Sequence, residues 1–343
     1  MPDKAVTLRR PPKVGLEGFP ERLGFMTMDP NNRPGGNTLV LTAKSANKIQ
    51  WFDAGTLAHL ADLDMPASTH ELIRSPDGSK VYASVYGGGI FGKNKDPDRR
   101  IAVIDLASKS VERTIDVGAN IAPHSVMMDA HGSLWSTAEL GNAVLAVDPE
   151  TSQVERIGIG GSPHWIAVSH PTEKLFASFK TKEAVGVVDI ASRQVVGTIA
   201  IPHGAEGIAT SPDGETLFVC AHWKGVVHVF DARTHALRKT IAIEGAPGEA
   251  KQLRRVRVSP DGRYVCASSH VDDFAAVYDA ATLKQLGGFS TPKAPMGFGF
   301  AADGKRAFLC CHDAAVTLEF ELPGAKIVRQ FPTAAGCEFV ISY

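Results

Sequence analysis

The chain has no apolar stretch long enough to span a bilayer. Its opening, Met1-Pro-Asp-Lys-Ala-Val-Thr-Leu-Arg-Arg10, lacks the apolar centre of a signal peptide. Cytoplasmic residence is the expectation, or periplasmic residence where an export signal has been trimmed away. Charge of one sign is missing too: 36 Lys and Arg face 37 Asp and Glu, for a net charge of −1. With no basic run or aromatic–basic stripe, neither nucleic acid nor an anionic membrane is favoured as a partner. Five cysteines, an odd number, argue against a disulfide framework. No segment sustains a long helical period. A Gly-rich phosphate loop, a nucleophile elbow and a CxxC pair are all absent, so nucleotide, serine-hydrolase and thioredoxin-like chemistry lack their usual residues.

What the sequence does contain is a seven-fold internal repeat. Its clearest copy runs Gly204-Ala-Glu-Gly-Ile-Ala-Thr-Ser-Pro-Asp-Gly-Glu-Thr-Leu-Phe-Val-Cys-Ala-His222, then Val226-Val-His-Val-Phe-Asp231, then Thr240-Ile-Ala-Ile243. The last position of the second apolar run is Lys44, Tyr86, Glu139, Lys180, His222, His270 and His312 in successive copies. The steps between them are 42, 53, 41, 42, 48 and 42 residues. A period of this size with four strand-like runs per copy is the mark of a propeller blade. Ser75-Pro-Asp-Gly78, Ser211-Pro-Asp-Gly214 and Ser259-Pro-Asp-Gly262 separate the first and second runs. Pro presets φ there and Gly accepts φ > 0, so each reads as a tight β-turn. Asp53, Asp105, Asp148, Asp189, Asp231 and Asp279 close the third run before a turn carrying Thr or Ser.

The expected fold is all-β: a seven-bladed β-propeller of four-stranded antiparallel blades, one domain over residues 25–343 behind a lead-in arm at 1–24. Seven copies run from near Phe25 to near Phe331, and Gly336-Cys-Glu-Phe-Val-Ile-Ser-Tyr343 remains as a surplus inner-strand pattern. Open sheet edges invite mispairing, so this tail is expected to pair into the first blade and close the ring.

Blade connectivity then decides where polar side chains meet. Ends of second strands and starts of innermost strands lie on the same face, around the pore. The first set is Lys44 to His312. The second is His70-Glu71, His124, His164, His203 through Glu206, Arg254-Arg255, Met296 and Glu338. Seven of the twelve histidines map to this face. Convergent titratable groups in a concavity point to a functional site. Neutral imidazoles ligate Zn, Fe, Cu or Ni, and carboxylates add Mn. His124, His164, His222, His270 and His312 are therefore the expected ligands of a divalent transition metal. Glu71, His124, Glu139 and Glu206 are candidates for acid–base work, with Lys180 or Tyr86 to stabilise a developing anion. Tyr86, Trp223 and Arg254 complete the set as substrate contacts. For the glutamates, ion pairs with Lys44, Lys180 or Arg254 are an equally good reading. Cys220, Cys266 and Cys310 occupy the same late position in the second strands of three neighbouring blades, beside the histidines; core filling is the expectation for most of the cysteines, with thiolate ligation the alternative. Two insertions, Gly87–Arg100 and Glu244–Leu253, rise over the mouth as a lid or as plain loops.

Through its Ser-Pro-Asp-Gly turns and Val-x-Val-x-Asp third strands the chain resembles the YVTN-type seven-bladed propellers. Through Pro123-His-Ser-Val126, Glu139-Leu-Gly141 and Ala205-Glu-Gly-Ile208 it resembles the lactonase-like propellers, which include 6-phosphogluconolactonase-type and carboxymuconate-cyclising enzymes. That resemblance implies that His124 and Glu206 face the pore as acid–base or substrate-binding residues, with Arg254 or Arg257 as a carboxylate clamp. Ser162-Pro-His-Trp165 is similar to the metal-dependent virginiamycin-type lyases. Three classes of function follow. The first is a metal-assisted lactonase, cyclase or lyase on a small molecule. The second is a redox or oxygen-using iron or copper enzyme. The third is a non-catalytic propeller that binds a protein or ligand.

Overall fold

The computed structural model describes residues 36–90, 93–119, 121–247 and 252–343. The lead-in arm at 1–24 and the start of the first copy lie outside these residues. Seven separate four-stranded antiparallel sheets are present, each ordered from an innermost to an outermost strand. Blade 2 shows the pattern, with Ser68–Arg74 innermost, then Lys80–Gly88, Asp96–Asp105 and Ser110–Asp116. The innermost strands of blades 3 to 7 are Pro123–Met128, Pro163–Ser169, Ala205–Thr210, Leu253–Val258 and Pro295–Phe300.

Blade 1 takes its innermost strand from the other end of the chain. Cys337–Ser342 pairs antiparallel with Thr38–Ala43, in register Val40↔Ile341 and Leu41↔Val340. The expected closure is therefore the observed one.

Turn chemistry behaves as the sequence implies. Gly78, Gly214 and Gly262 take φ of 79°, 71° and 72°, and each donates its N–H to the carbonyl of the turn serine. In each turn that serine's hydroxyl also meets the turn aspartate. The aspartates closing the third strands accept from the Thr or Ser three residues on, as Asp53 does from Thr56 and Asp279 from Thr282. The apolar faces of neighbouring blades interlock: Val40 and Trp51 of blade 1 pack with Leu72, Val81 and Ala102 of blade 2. All five cysteines are free and buried. The Gly87–Arg100 insertion is largely an extension of a hairpin, with Gly87 paired to Pro97 and Gly88 to Asp96. Part of the Glu244–Leu253 insertion lies outside the described residues.

Candidate metal centre

Every innermost strand begins with the same irregularity. In blade 2, Thr69 pairs with Val85 and Leu72 with Ala83, so His70 and Glu71 together oppose the single residue Ser84. The same two-against-one step sets His124 and Ser125 against Thr137, His164 and Trp165 against Ser178, and Glu206 and Gly207 against Cys220. Arg254–Arg255, Met296–Gly297 and Glu338–Phe339 complete the series. A β-bulge bends its strand and re-aims the extra side chain. Here it brings equivalent residues of successive blades into contact. His70 Nδ1 stands 3.7 Å from Glu338 Oε1, and the His70 and His124 rings lie 4.5 Å apart. The His124 and His164 rings lie 3.9 Å apart. His164 Nε2 is 3.5 Å from Glu206 Oε1, and Arg254 is 3.1 Å from the same oxygen.

Hydroxyls on the second strands hold this circle in place. Ser84 accepts the Glu71 N–H and donates to the His124 carbonyl of the next blade at 2.6 Å. Thr137 likewise accepts from Ser125 and donates to His164, and Thr42 accepts from Phe339 and donates to His70. Each hydroxyl thus satisfies an N–H released by the bulge and pins the next backbone. Cys220 and Cys310 occupy this hydroxyl position in blades 5 and 7, since their register partners match those of Ser84 and Ser268. Cys266 stands two residues earlier in its strand, so the three cysteines are not equivalent, as their late positions had implied.

The Arg255 guanidinium lies 3.3 Å from the Trp165 ring centroid and donates to Glu338 Oε1 at 3.2 Å. Glu71 accepts from Ser125 at 3.3 Å through Oε2, while its Oε1 is buried with no partner.

His70, His124 and Glu338 form a group whose ligand atoms all lie within 4.8 Å of one another. All three are buried, at 2%, 2% and 3% exposure. Both ring nitrogens of His70 and Nδ1 of His124 lack a hydrogen-bond partner, while Glu338 Oε2 stands 3.5 Å from Lys44 Nζ. Leaving such groups unpaired costs about 1–3 kcal/mol each. Burial, reinforced by Lys44 and His164 at His70 and by His164 and His70 at His124, pushes both histidines well below the ordinary imidazole range. They are neutral at pH 7, the form that ligates metal. Burial works to raise Glu338, but Lys44, Arg255 and His312 outweigh it and hold the carboxyl at about 2. Two neutral imidazoles and a carboxylate suit a divalent transition ion.

Of the ligands expected from the sequence, His124 alone belongs to this group. His164 is taken up by Glu139 at Nδ1. His222 Nδ1 is 3.4 Å from Glu206, with its ring 4.1 Å from the exposed Trp223. His312 bonds Asp313 at 2.7 Å. Second strands sit one strand spacing, about 4.8 Å, farther from the axis than the innermost ones. That is why His222, His270 and His312 do not join the His70–His124–Glu338 group. His70 and Glu338 were visible at the mouth but not singled out as ligands. Applying the repeat alignment to the innermost strand would have done so, because both are equivalent to His124.

The other expected site residues separate by charge state. Glu206 is faced by Lys180 at 2.5 Å and by Arg254. Burial alone would raise it, yet Lys180, His164 and Arg254 hold it well below the carboxylate range. Glu139 accepts from Tyr86 and meets His164. Glu71 differs: burial pushes it up to about 8 against the pull of Arg255 and Arg257.

No protein-family model matches the chain. Antigen Lp49 of Leptospira interrogans (serogroup Icterohaemorrhagiae, serovar copenhageni) is 23% identical over 288 residues, 76% of this chain. The chain spans 58% of that relative's length. Among solved structures, a chain of Kuenenia stuttgartiensis hydrazine synthase superposes with a TM-score of 0.73 at 16% identity, covering 89% of this chain and 99% of that one. A functionally unknown protein from Desulfotomaculum acetoxidans DSM 771 gives 0.72 at 13% identity, covering 88% and 98%. At these identities the likeness is one of fold.

Proposed function

We propose that this propeller is a small-molecule enzyme built around a divalent transition metal held by His70, His124 and Glu338. The observation that carries the reading is the clustering of buried ligand atoms from three adjacent blades, with both nitrogens of His70 and Nδ1 of His124 lacking a hydrogen-bond partner. Such an ion would polarise a substrate carbonyl as a Lewis acid. The surrounding residues suit a reaction of the lactonase, cyclase or lyase type. Glu71, next along the strand from His70, holds a proton near neutral pH and can return it to a leaving oxygen. Arg255, stacked on Trp165, is buried and donates to Glu338, which fixes the carboxylate beside the histidines. Lys180 and Arg254, paired with Glu206, present positive charge where an anion develops.

Elemental analysis after reconstitution with Zn, Fe, Cu, Ni or Mn tests this directly. One equivalent is expected in the native protein, loss in His70→Ala and Glu338→Gln, and retention in His270→Ala. Absence of metal from the native protein, or full occupancy in both ligand variants, overturns the assignment. A bound iron or copper with a redox-active spectrum would move the reaction class from hydrolysis or elimination to redox chemistry.

A further inference from the structure

His70, His124 and Glu338 stand at one bulge position of the innermost strands of blades 2, 3 and 1, so they approach an ion from one arc of the ring. The same position in the other four blades carries His164, Glu206, Arg254 and Met296. His164 meets Glu139 through Nδ1 and stands 3.5 Å from Glu206 through Nε2. Glu206 is held by Lys180 and Arg254, and Arg254 is itself a cation. Met296 brings a thioether, a soft ligand that suits copper(I). Among the described residues the ligand group therefore stops at three. Structural zinc sites are closed by four protein ligands, whereas three leave positions open.

Spacing and ligand type narrow the choice of ion. His70 Nδ1 and Glu338 Oε1 stand 3.7 Å apart, near the roughly 3 Å that separates neighbouring ligands about 2.1 Å from one ion. Two imidazoles and one carboxylate with open positions are the donor set of non-haem iron(II). Charge favours the ferrous state. Lys44 and Arg255 lie 3.5 Å and 3.2 Å from the Glu338 oxygens. Positive charge at that range, in a largely buried site, opposes a third positive charge on the ion. The walls beside the histidines are aromatic. The Tyr86 ring stands 4.4 Å from His70 and the Trp165 ring 4.6 Å from His124. Such walls suit an uncharged ligand better than an anion, which loses its hydration on entry.

We propose that the trio holds iron(II) and that its open positions, on the side of blades 4 to 7, take dioxygen beside the organic substrate. This rests on the metal reading above and names the ion and a second ligand for it. Iron(II) still polarises a carbonyl as a Lewis acid. What it adds is affinity for a diatomic molecule, which redox-inert zinc lacks.

Anaerobic reconstitution of the metal-free protein with iron(II), followed by titration with nitric oxide as the dioxygen analogue, is the test. The native protein is expected to take up one equivalent of iron. It should then give the spin-three-halves paramagnetic resonance signal of a ferrous nitrosyl, which forms only where iron keeps an open position. His70→Ala and Glu338→Gln should each lower that signal at least about tenfold, since even the outer partners of ligands matter by that much. Glu338→Gln is nearly isosteric, so it carries the test where His70→Ala fails to fold. His131→Ala, which changes an exposed histidine paired with Glu173, should give the native signal. Iron bound without a nitrosyl signal means that its coordination is closed, and native signal in both ligand variants means iron bound elsewhere; each overturns the proposal. Uptake of zinc or manganese without uptake of iron also overturns it but leaves the metal reading standing. Uptake of none of these metals overturns both.

Discussion

Glu71 is where burial most changes the chemistry of a single residue. Its carboxyl has one hydrogen bond, from Ser125, and an orphaned oxygen, and burial lifts it to about 8. An unfolded glutamate titrates near about 4.3. Between these values the folded chain binds a proton that the unfolded chain has lost. Stability must then fall as pH rises, by about 1.4 kcal/mol per pH unit for one proton. His70 and His124 act in the opposite sense. Their folded values lie below the ordinary one, so their contribution is complete above about 6.5 and is lost as pH falls beneath it. The window from about 6.5 to about 7.5 therefore isolates Glu71, because above it unfolded thiols begin to ionise while burial keeps Cys220, Cys266 and Cys311 protonated in the fold. In urea denaturation of the metal-free protein, native stability should decline across that window and Glu71→Gln should remain flat. Parallel slopes would show that Glu71 is ionised throughout.

At the scale of the element, the bulge and the hydroxyl beside it form one device repeated in blades 1, 2 and 3. Two residues opposite one release an N–H, and the second-strand hydroxyl takes it up while fixing the next blade's ring residue. Ser84→Ala leaves the Glu71 N–H and the His124 carbonyl each short of a partner. A loss of about 1–3 kcal/mol is expected. Metal affinity should fall about tenfold or more, because the ligand backbone is no longer held. Competition with a chromophoric chelator would show an unchanged affinity if Ser84 were only core filling. Gly207 tests the spacing of innermost strands. A Cβ there would sit 2.5 Å from the Arg254 carbonyl and 2.8 Å from Arg255 Cα. Gly207→Ala should cost about 1–3 kcal/mol by prising blades 5 and 6 apart. A thermal midpoint equal to the native one would mean that the strands yield freely.

For the whole molecule, ring closure and the candidate metal centre share one strand. Cys337–Ser342 completes blade 1 and carries Glu338 to His70 and His124, which belong to blades 2 and 3. Metal bound there ties the last strand to the early blades, and a ligand that binds only the folded state adds stability. At a hundredfold excess over Kd that addition is about 2.7 kcal/mol. The native melting temperature should rise with saturating metal, and that of Glu338→Gln should not. Removal of residues 336–343 should lower the melting temperature sharply even without metal, by exposing the edge of Thr38–Ala43. A truncated chain melting like the native one would disprove closure by this strand.

The propeller was legible because its causes are local. Turn serines, prolines and glycines, third-strand aspartates and alternating apolar runs act within a few residues, and they recur with a period that counts the blades. Closure was legible as well, since one strand pattern was left over. The face that gathers polar groups followed from connectivity, and both His70 and Glu338 were placed on it. Which of those groups meet was not written in the spacing. His222, His270 and His312 share a repeat position as fully as His70, His124 and Glu338 do. Among the described residues, it is three members of the innermost row, turned by their bulges, that group their ligand atoms within 4.8 Å of one another. Radius and bulge arise when seven blades pack into a ring. Sequence determined the ring and the face, and tertiary packing selected the residues, because distance from the axis is a property of the closed ring and of no single repeat.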